Sequence, residues 1–139
     1  SKAFAMTGWR IGAAIGPEYL IEKMGLLLQT INSCVSPFIQ RAAIEAINCD
    51  QSEVQIMKDE YSERRKILVN GLNSIEGIRC GMPKGSIYAF ANVSGLGMTG
   101  SSFVHYADDF VRICYVNSIE NISLALGKIK EALKNRGAK

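Results

Sequence analysis

The spacing of apolar residues changes period along this chain, and that change limits the folds open to it. Val54, Met57, Tyr61, Leu68, Leu72 and Ile75 recur at steps of three, four or seven. That spacing predicts one long helix with a charged opposite face. Asp50, with Glu53 three residues on, reads as its N-terminal capping box, and Gly77 as its stop. The period then drops to two. Ile87, Ala89, Ala91 and Val93 fall on one face of a predicted strand over Ser86–Val93, and Ser86, Tyr88, Phe90 and Asn92 on the other. Two short β signals flank Gly81–Gly85, and Phe110–Val116 reads as a further strand. The helical period returns in Ile119, Ile122, Leu126, Ile129 and Leu133, with Asn117 and Glu120 framing the start and Lys134 and Arg136 forming a basic tail. Upstream, Pro17 opens a helix over Glu18 to about Leu28, with Tyr19, Leu20, Met24, Leu27 and Leu28 on one face. Ser36-Pro37 opens another over Phe38–Ile47. This order excludes an all-β fold and makes the later part α+β.

The chain has 139 residues, 47% hydrophobic and 21% charged, a globular balance that suits one domain or parts of two. A composition shift near Asp50 places a domain boundary between 1–50 and 51–139. The net charge is only +3, and the single basic cluster, Arg64-Arg65-Lys66, stands beside Glu60 and Glu63. It reads as a solvated helix face and not as a nucleic-acid footprint. The four cysteines, Cys34, Cys49, Cys80 and Cys114, form no CxxC pair and read as buried reduced thiols, which fits a cytoplasmic protein. His105 is the only histidine, so no multi-histidine metal site is expected. The longest uncharged run, Met24–Gln40, is too polar to span a bilayer. The chain begins abruptly at Ser1, with no initiator Met, and is expected to be the C-terminal piece of a longer protein.

The stretch Ser1-Lys2-Ala3-Phe4-Ala5-Met6-Thr7-Gly8-Trp9-Arg10-Ile11-Gly12 carries the chemistry. It sets a primary amine and a guanidinium on either side of a turn of small residues. Read alone, such a pair is a solvated lysine near a terminus and a surface arginine. Phe4, Met6, Trp9 and Ile11 make the stretch too apolar for a loose tail. Gly8, Gly12 and Gly16 allow tight backbone geometry or close packing. An aldehyde cofactor needs an amine to hold it and a cation to hold its phosphate. Lys2 and Arg10 are those two groups, and a guanidinium can take two phosphate oxygens at once. A reacting amine must be unprotonated, which burial or neighbouring cations favour.

That stretch resembles the pyridoxal-phosphate lysine motif of class I/II aminotransferases, Ser/Ala-Lys-x-Phe-x-Met-Thr-Gly-Trp-Arg-Ile/Leu-Gly, at every position. Nearer the end, Val111-Arg112-Ile113-Cys114-Tyr115-Val116-Asn117-Ser118-Ile119-Glu120-Asn121 resembles the same family's Val-Arg-Ile/Leu-Ser/Cys-Tyr-Ala-x-Ser-x-Glu-Asn. Pro83-Lys84-Gly85-Ser86-Ile87-Tyr88 is similar to its Pro-x-Gly-Gly/Ala/Ser-x-Phe/Tyr, a segment bordering the substrate pocket. Asn32–Pro37 resembles a segment near the subunit interface. The resemblance implies the C-terminal portion of a fold-type-I, pyridoxal 5'-phosphate-dependent transferase: the end of the large α/β domain, then an α+β small domain joined by the long helix. It implies that Lys2 binds the cofactor covalently and moves a proton at the substrate Cα. Arg10, with Ser1, would hold the cofactor phosphate, and Arg112 would grip the substrate α-carboxylate. The reaction would pass an amino group between an amino acid and a 2-oxo acid, with the sequence nearest to prokaryotic aspartate-type enzymes and the enzyme a homodimer.

Arg112 has a second reading from its residues alone. It lies in the apolar run Phe110–Val116, where a buried guanidinium would need an internal Asp or Glu. Gly95-Leu96-Gly97-Met98-Thr99-Gly100 is a formal GxGxxG, but it lacks the helix start and strand-end acid of a dinucleotide site and reads as a flexible loop. Family members carry a further helix, strand and loop where this chain runs directly from His105 to Phe110, so residues are expected to be missing there. The family's other cofactor-ring ligands precede the lysine, so this piece is not expected to be active alone. A related pyridoxal-phosphate lyase or decarboxylase would share Lys2 and Arg112. A dinucleotide-binding module or a non-catalytic interaction domain would not need them as a pair.

Overall fold

A computed structural model of the chain describes residues 1–97 and 109–137, with side chains described through 135. Met98, Thr99, Gly100, His105 and the junction before Phe110, together with the Arg136 side chain of the basic tail, lie outside the described residues. The chain divides into two units, Ser1–Gln55 and Ile56–Lys139.

The first unit opens with two 3-10 turns, Lys2–Phe4 and Thr7–Trp9, followed by α1 (Glu18–Ile31) and α2 (Pro37–Asn48). Pro17 precedes α1 at φ −56°, and its carbonyl accepts the first helical bonds, from Leu20 and Ile21 at 3.0 and 3.1 Å. Pro37 sits in the first turn of α2, where its missing N–H leaves nothing unsatisfied. Both helices run past their expected ends, α1 to Ile31 and α2 to Asn48. The expected apolar face of α1 does form, but neither α1 nor α2 buries a residue within the first unit. Tyr19, Leu27 and Phe38 are all more than half exposed.

The long helix α3 spans Ser52–Asn73. Its start corrects the expected capping box. The Gln51 carbonyl accepts the first helical bond, from Gln55 at 3.0 Å. Asp50 works from one residue further out, where its carboxylate accepts the Ser52 hydroxyl at 2.6 Å and the Ser52 N–H at 3.2 Å. Those bonds hold its carboxyl below its ordinary value. Gly77 does not stop the helix, which ends at Asn73. It stands in the turn beyond, at φ 83°.

The second unit places three antiparallel strands in the order β1 (Arg79–Cys80), β2 (Tyr88–Asn92), β3 (Phe110–Cys114). The register pairs Tyr88 with Cys114, Phe90 with Arg112 and Asn92 with Phe110. The alternation read from the sequence holds: Ala89 and Ala91 are fully buried while Phe90 is exposed. Leu68, Val69 and Leu72 of α3 and Ile122 and Leu126 of α4 (Ile119–Gly137) join those alanines in one core with Ile75, Ile78, Cys80, Val93 and Tyr115. Each buried Leu, Ile or Val there contributes about 1.5–3 kcal/mol. The helices thus seal one face of the sheet. α4 starts where Ser118 caps it, its hydroxyl accepting the Asn121 N–H at 3.2 Å.

Two polar pins fix the strand ends. The Asn73 amide bonds both sides of Cys80, accepting its N–H at 2.8 Å and donating to its carbonyl at 2.9 Å. The Tyr115 hydroxyl donates to the Ser86 carbonyl, and Arg65 donates to the Pro83 carbonyl at 2.9 Å, so the turn before β2 is held twice. Burial pushes the Tyr115 phenol above its ordinary value, opposed by the Arg65 charge. The cysteine expectation is half corrected. All four are unpaired, but only Cys80 is buried, and Cys34, Cys49 and Cys114 are exposed.

The glycine-rich run after β2 has a packing role. Ser94–Leu96 is a single 3-10 turn, and a Cβ at Gly95 would meet the Gly77 Cα at 2.7 Å and its carbonyl oxygen at 2.8 Å. Backbone cannot yield as a flexible side chain does. Gly95→Ala is therefore expected to destabilise the fold by about 1–3 kcal/mol, while Gly81→Ala, with nothing within 4 Å, stays within about 0.5 kcal/mol. Urea unfolding of the two variants checks the difference. In the same assay Tyr115→Phe, which orphans the Ser86 carbonyl, is expected to lose roughly 0.5–1.5 kcal/mol.

Candidate active site

The first ten residues fold on themselves through a short ladder of bonds. The Met6 N–H donates to the Ser1 carbonyl at 2.8 Å, Ala5 to Lys2 at 3.3 Å, and Trp9 to Met6 at 3.1 Å. The Arg10 Nη1 then donates to the Thr7 carbonyl at 3.2 Å. Met6 is the buried anchor of the segment, with Phe4 and Ile11 half-buried and Trp9 exposed. Lys2 and Arg10 therefore stand on consecutive turns of one organised segment, both exposed, with Ser1 at its head.

The glycines do not supply the tight geometry expected of them. A Cβ at Gly8 or Gly12 would meet nothing within 4 Å, and Gly16 makes only an ordinary contact with Ile21 at 3.8 Å. The left-handed positions fall on Ala5 at φ 51° and on Arg10 itself at φ 52°. A non-glycine residue in that region costs roughly 1–2 kcal/mol, and such strain clusters at functional sites. At Arg10 the reversed backbone turns the side chain back over the preceding turn, where Thr7 accepts from it.

The donor set suits a phosphorylated aldehyde. The segment offers a primary amine, a guanidinium fork and a hydroxyl, and no acidic residue precedes Glu18 to compete for the cations. Among the described residues no group of three or more His, Cys, Asp or Glu could hold a metal ion. Nor is any described helix long and apolar enough to cross a membrane.

Arg112 belongs to the second unit, at the centre of β3. The expectation of a buried guanidinium is corrected: Arg112 is exposed, on the sheet face that the helices leave open. Parity explains this. Arg112 pairs with Phe90, so it shares the outer face with Phe90 and Tyr88, while Ala89 and Ala91 face the core. Its Cζ lies over the Tyr88 ring, 4.7 Å from the centre. Sequence reasoning placed Tyr88 and Phe90 on one face but did not join that face to Arg112, because the β2–β3 register is not legible in either strand alone.

Residues 1–129 match the family model for aminotransferase class I and II. The aspartate aminotransferase of Pyrococcus horikoshii is 38% identical over an alignment covering 96% of this chain and 39% of that protein. Among solved structures, an aromatic aminotransferase from Pyrococcus horikoshii superposes with a TM-score of 0.89 at 32% identity, over 99% of this chain and 42% of its own. The aspartate aminotransferase of Rhizobium meliloti gives 0.84 at 32% identity, over 95% and 40%. The chain thus spans about two-fifths of the length of these relatives. With its Lys2–Arg10 segment and its antiparallel sheet both accounted for by that match, the chain belongs to the class I and II aminotransferases, of fold type I.

Proposed function

We propose that this chain is the C-terminal part of a pyridoxal 5'-phosphate-dependent aminotransferase that passes an amino group between an amino acid and a 2-oxo acid, with aspartate-type substrates. Residues 1–50 close its large domain and 51–139 form its small one. The whole enzyme works as a cytoplasmic homodimer. The observation that carries this reading is the amine and guanidinium on successive turns of a strained, acid-free segment.

When bound, the cofactor supplies an electrophilic aldehyde and a ring that accepts electrons. Lys2 would be the residue that holds that aldehyde. The Arg10 fork and the Ser1 hydroxyl hold the phosphate. The Lys2 amine, when not engaged by the cofactor, would hold and move a proton at the substrate Cα, which is general acid–base catalysis by a group already in place. Arg112 presents donors along the edge of a planar cation and takes both oxygens of the substrate carboxylate, which fixes the Cα–H toward the base. A carbon–sulfur lyase or a decarboxylase could use the same lysine and arginine. The named relatives are aspartate and aromatic aminotransferases, which favours transfer.

Borohydride reduction of the full-length protein is expected to fix the cofactor onto the peptide bearing Lys2 and bleach its visible band. A Lys2→Ala protein should take no label and lose at least about 100-fold in turnover. Labelling elsewhere would sink the assignment. Arg112→Ala is expected to keep the cofactor band but weaken 2-oxo acid binding by about 10- to 100-fold in the half-reaction. An unchanged half-reaction would remove Arg112 from the site.

A further inference from the structure

A groove of about 850 Å3 opens on the second unit, where the turn after α3, the 3-10 turn after β2 and the latter half of α4 meet. Ligand sites in proteins usually measure roughly 300–1,000 Å3. None of Ser1, Lys2, Arg10 and Arg112 lines it, so the groove is separate from the chemistry proposed above and does not depend on it.

The groove is built into the fold. A Cβ at Gly77 would meet the Leu96 Cδ2 at 2.7 Å, and one at Gly95 would meet the Gly77 Cα at 2.7 Å. The two turns are therefore in direct contact, and where these glycines line the groove its wall is bare backbone. Its apolar lining continues the core: Ile75 is buried, and Leu96 and Leu133 pack against the same cluster.

The charges are unevenly placed. Lys130 and Lys134 stand one turn apart on α4, both exposed, at a spacing where like charges repel. Among the described residues neither lysine has an ion pair or a side-chain hydrogen bond. Glu76, in the turn after α3, is the one acid in the lining and pairs with neither. The Ser74 hydroxyl is already committed to the Gly71 carbonyl at 2.6 Å. An anion set between the two lysines would relieve their repulsion, and an apolar body joined to it would cover Leu96 and Leu133. We propose that this groove is a second ligand site, taking a carboxylate carried on an apolar body. The carboxylate meets Lys130 and Lys134, and the body lies against Ile75, Leu96 and Leu133. Glu76 repels a second negative charge and so favours a monocarboxylate.

The test uses the full-length holoenzyme with methyl-labelled isoleucine and leucine, and 4-phenylbutyrate as the probe. The Ile75, Leu96 and Leu133 methyl signals are expected to shift and to saturate below about 10 mM. Lys130→Gln with Lys134→Gln, exposed exchanges that keep helix propensity, should raise the Kd by about 3- to 20-fold. Glu76→Gln should lower it by about 1.5- to 5-fold. Two further probes separate charge from apolar contact. 4-Phenylbutylamine, the same body with a cation, and inorganic phosphate, an anion without the body, should each bind at least about fivefold more weakly. The inference is overturned if the three methyl signals stay still, if the double lysine variant binds like the parent, or if the amine binds as tightly as the carboxylate. Phosphate binding as tightly as 4-phenylbutyrate would overturn it too, since the lysines would then hold a counter-ion only.

Discussion

The sealing of one sheet face governs what the second unit can present on the other. Leu68, Val69 and Leu72 from α3 and Ile122 and Leu126 from α4 form one core with Ala89 and Ala91. The two alanines offer little bulk, so the helices cover β2 closely. A strand turns successive side chains to opposite faces. Once Ala89 and Ala91 are committed inward, Tyr88 and Phe90 must face outward. The ladder then carries Arg112 with them, because it stands opposite Phe90. A slip of one residue between β2 and β3 would send Arg112 into the core, where a guanidinium has no water and no charge partner. The same burial that stabilises the unit therefore selects the face on which the arginine stands.

The first unit is organised on a different principle. Only Met6 of its residues is buried, so apolar burial within the unit does little to hold it. Its opening segment is fixed instead by short-range backbone bonds and by two left-handed residues. The exposed Tyr19, Leu27 and Phe38 leave α1 and α2 with apolar faces larger than a solvated helix normally shows. The relatives reported above are more than twice as long as the stretch they share with this chain.

Much of this was legible in the residues, and the gaps have physical causes. The stripe from Val54 to Ile75 and the alternation over Ser86–Val93 gave the long helix and the central strand, because a regular period needs no knowledge of partners. The helix boundaries were less clear. Gln51 took the cap that Asp50 appeared suited for, and Gly77 marked a turn beyond Asn73, since local signals cannot tell a stop from a tight packing site. The glycine-rich run after β2 illustrates the same limit. Its glycines read as a flexible loop, and the reason for Gly95 is the Gly77 backbone at 2.7 Å. At the opening segment, Gly8, Gly12 and Gly16 pointed to tight backbone geometry or close packing, and the left-handed positions are Ala5 and Arg10. Sequence could name candidate reactive side chains, because an amine and a guanidinium carry their chemistry with them. It could not say which backbone positions carry the strain, because that follows from hydrogen bonds such as Ser1 to Met6.

The two arginines show how differently a cation can be held in one chain. Arg10 is fixed through its own backbone, whose left-handed turn returns the guanidinium to the Thr7 carbonyl. That bond uses a donor of Nη1 and leaves the rest of the fork for an anion. Arg112 sits on regular strand, where the backbone imposes no such turn, and its guanidinium lies over an aromatic ring. A ring face takes no donor. The contact with Tyr88 depends on the register of the sheet and not on a turn of the arginine's own backbone.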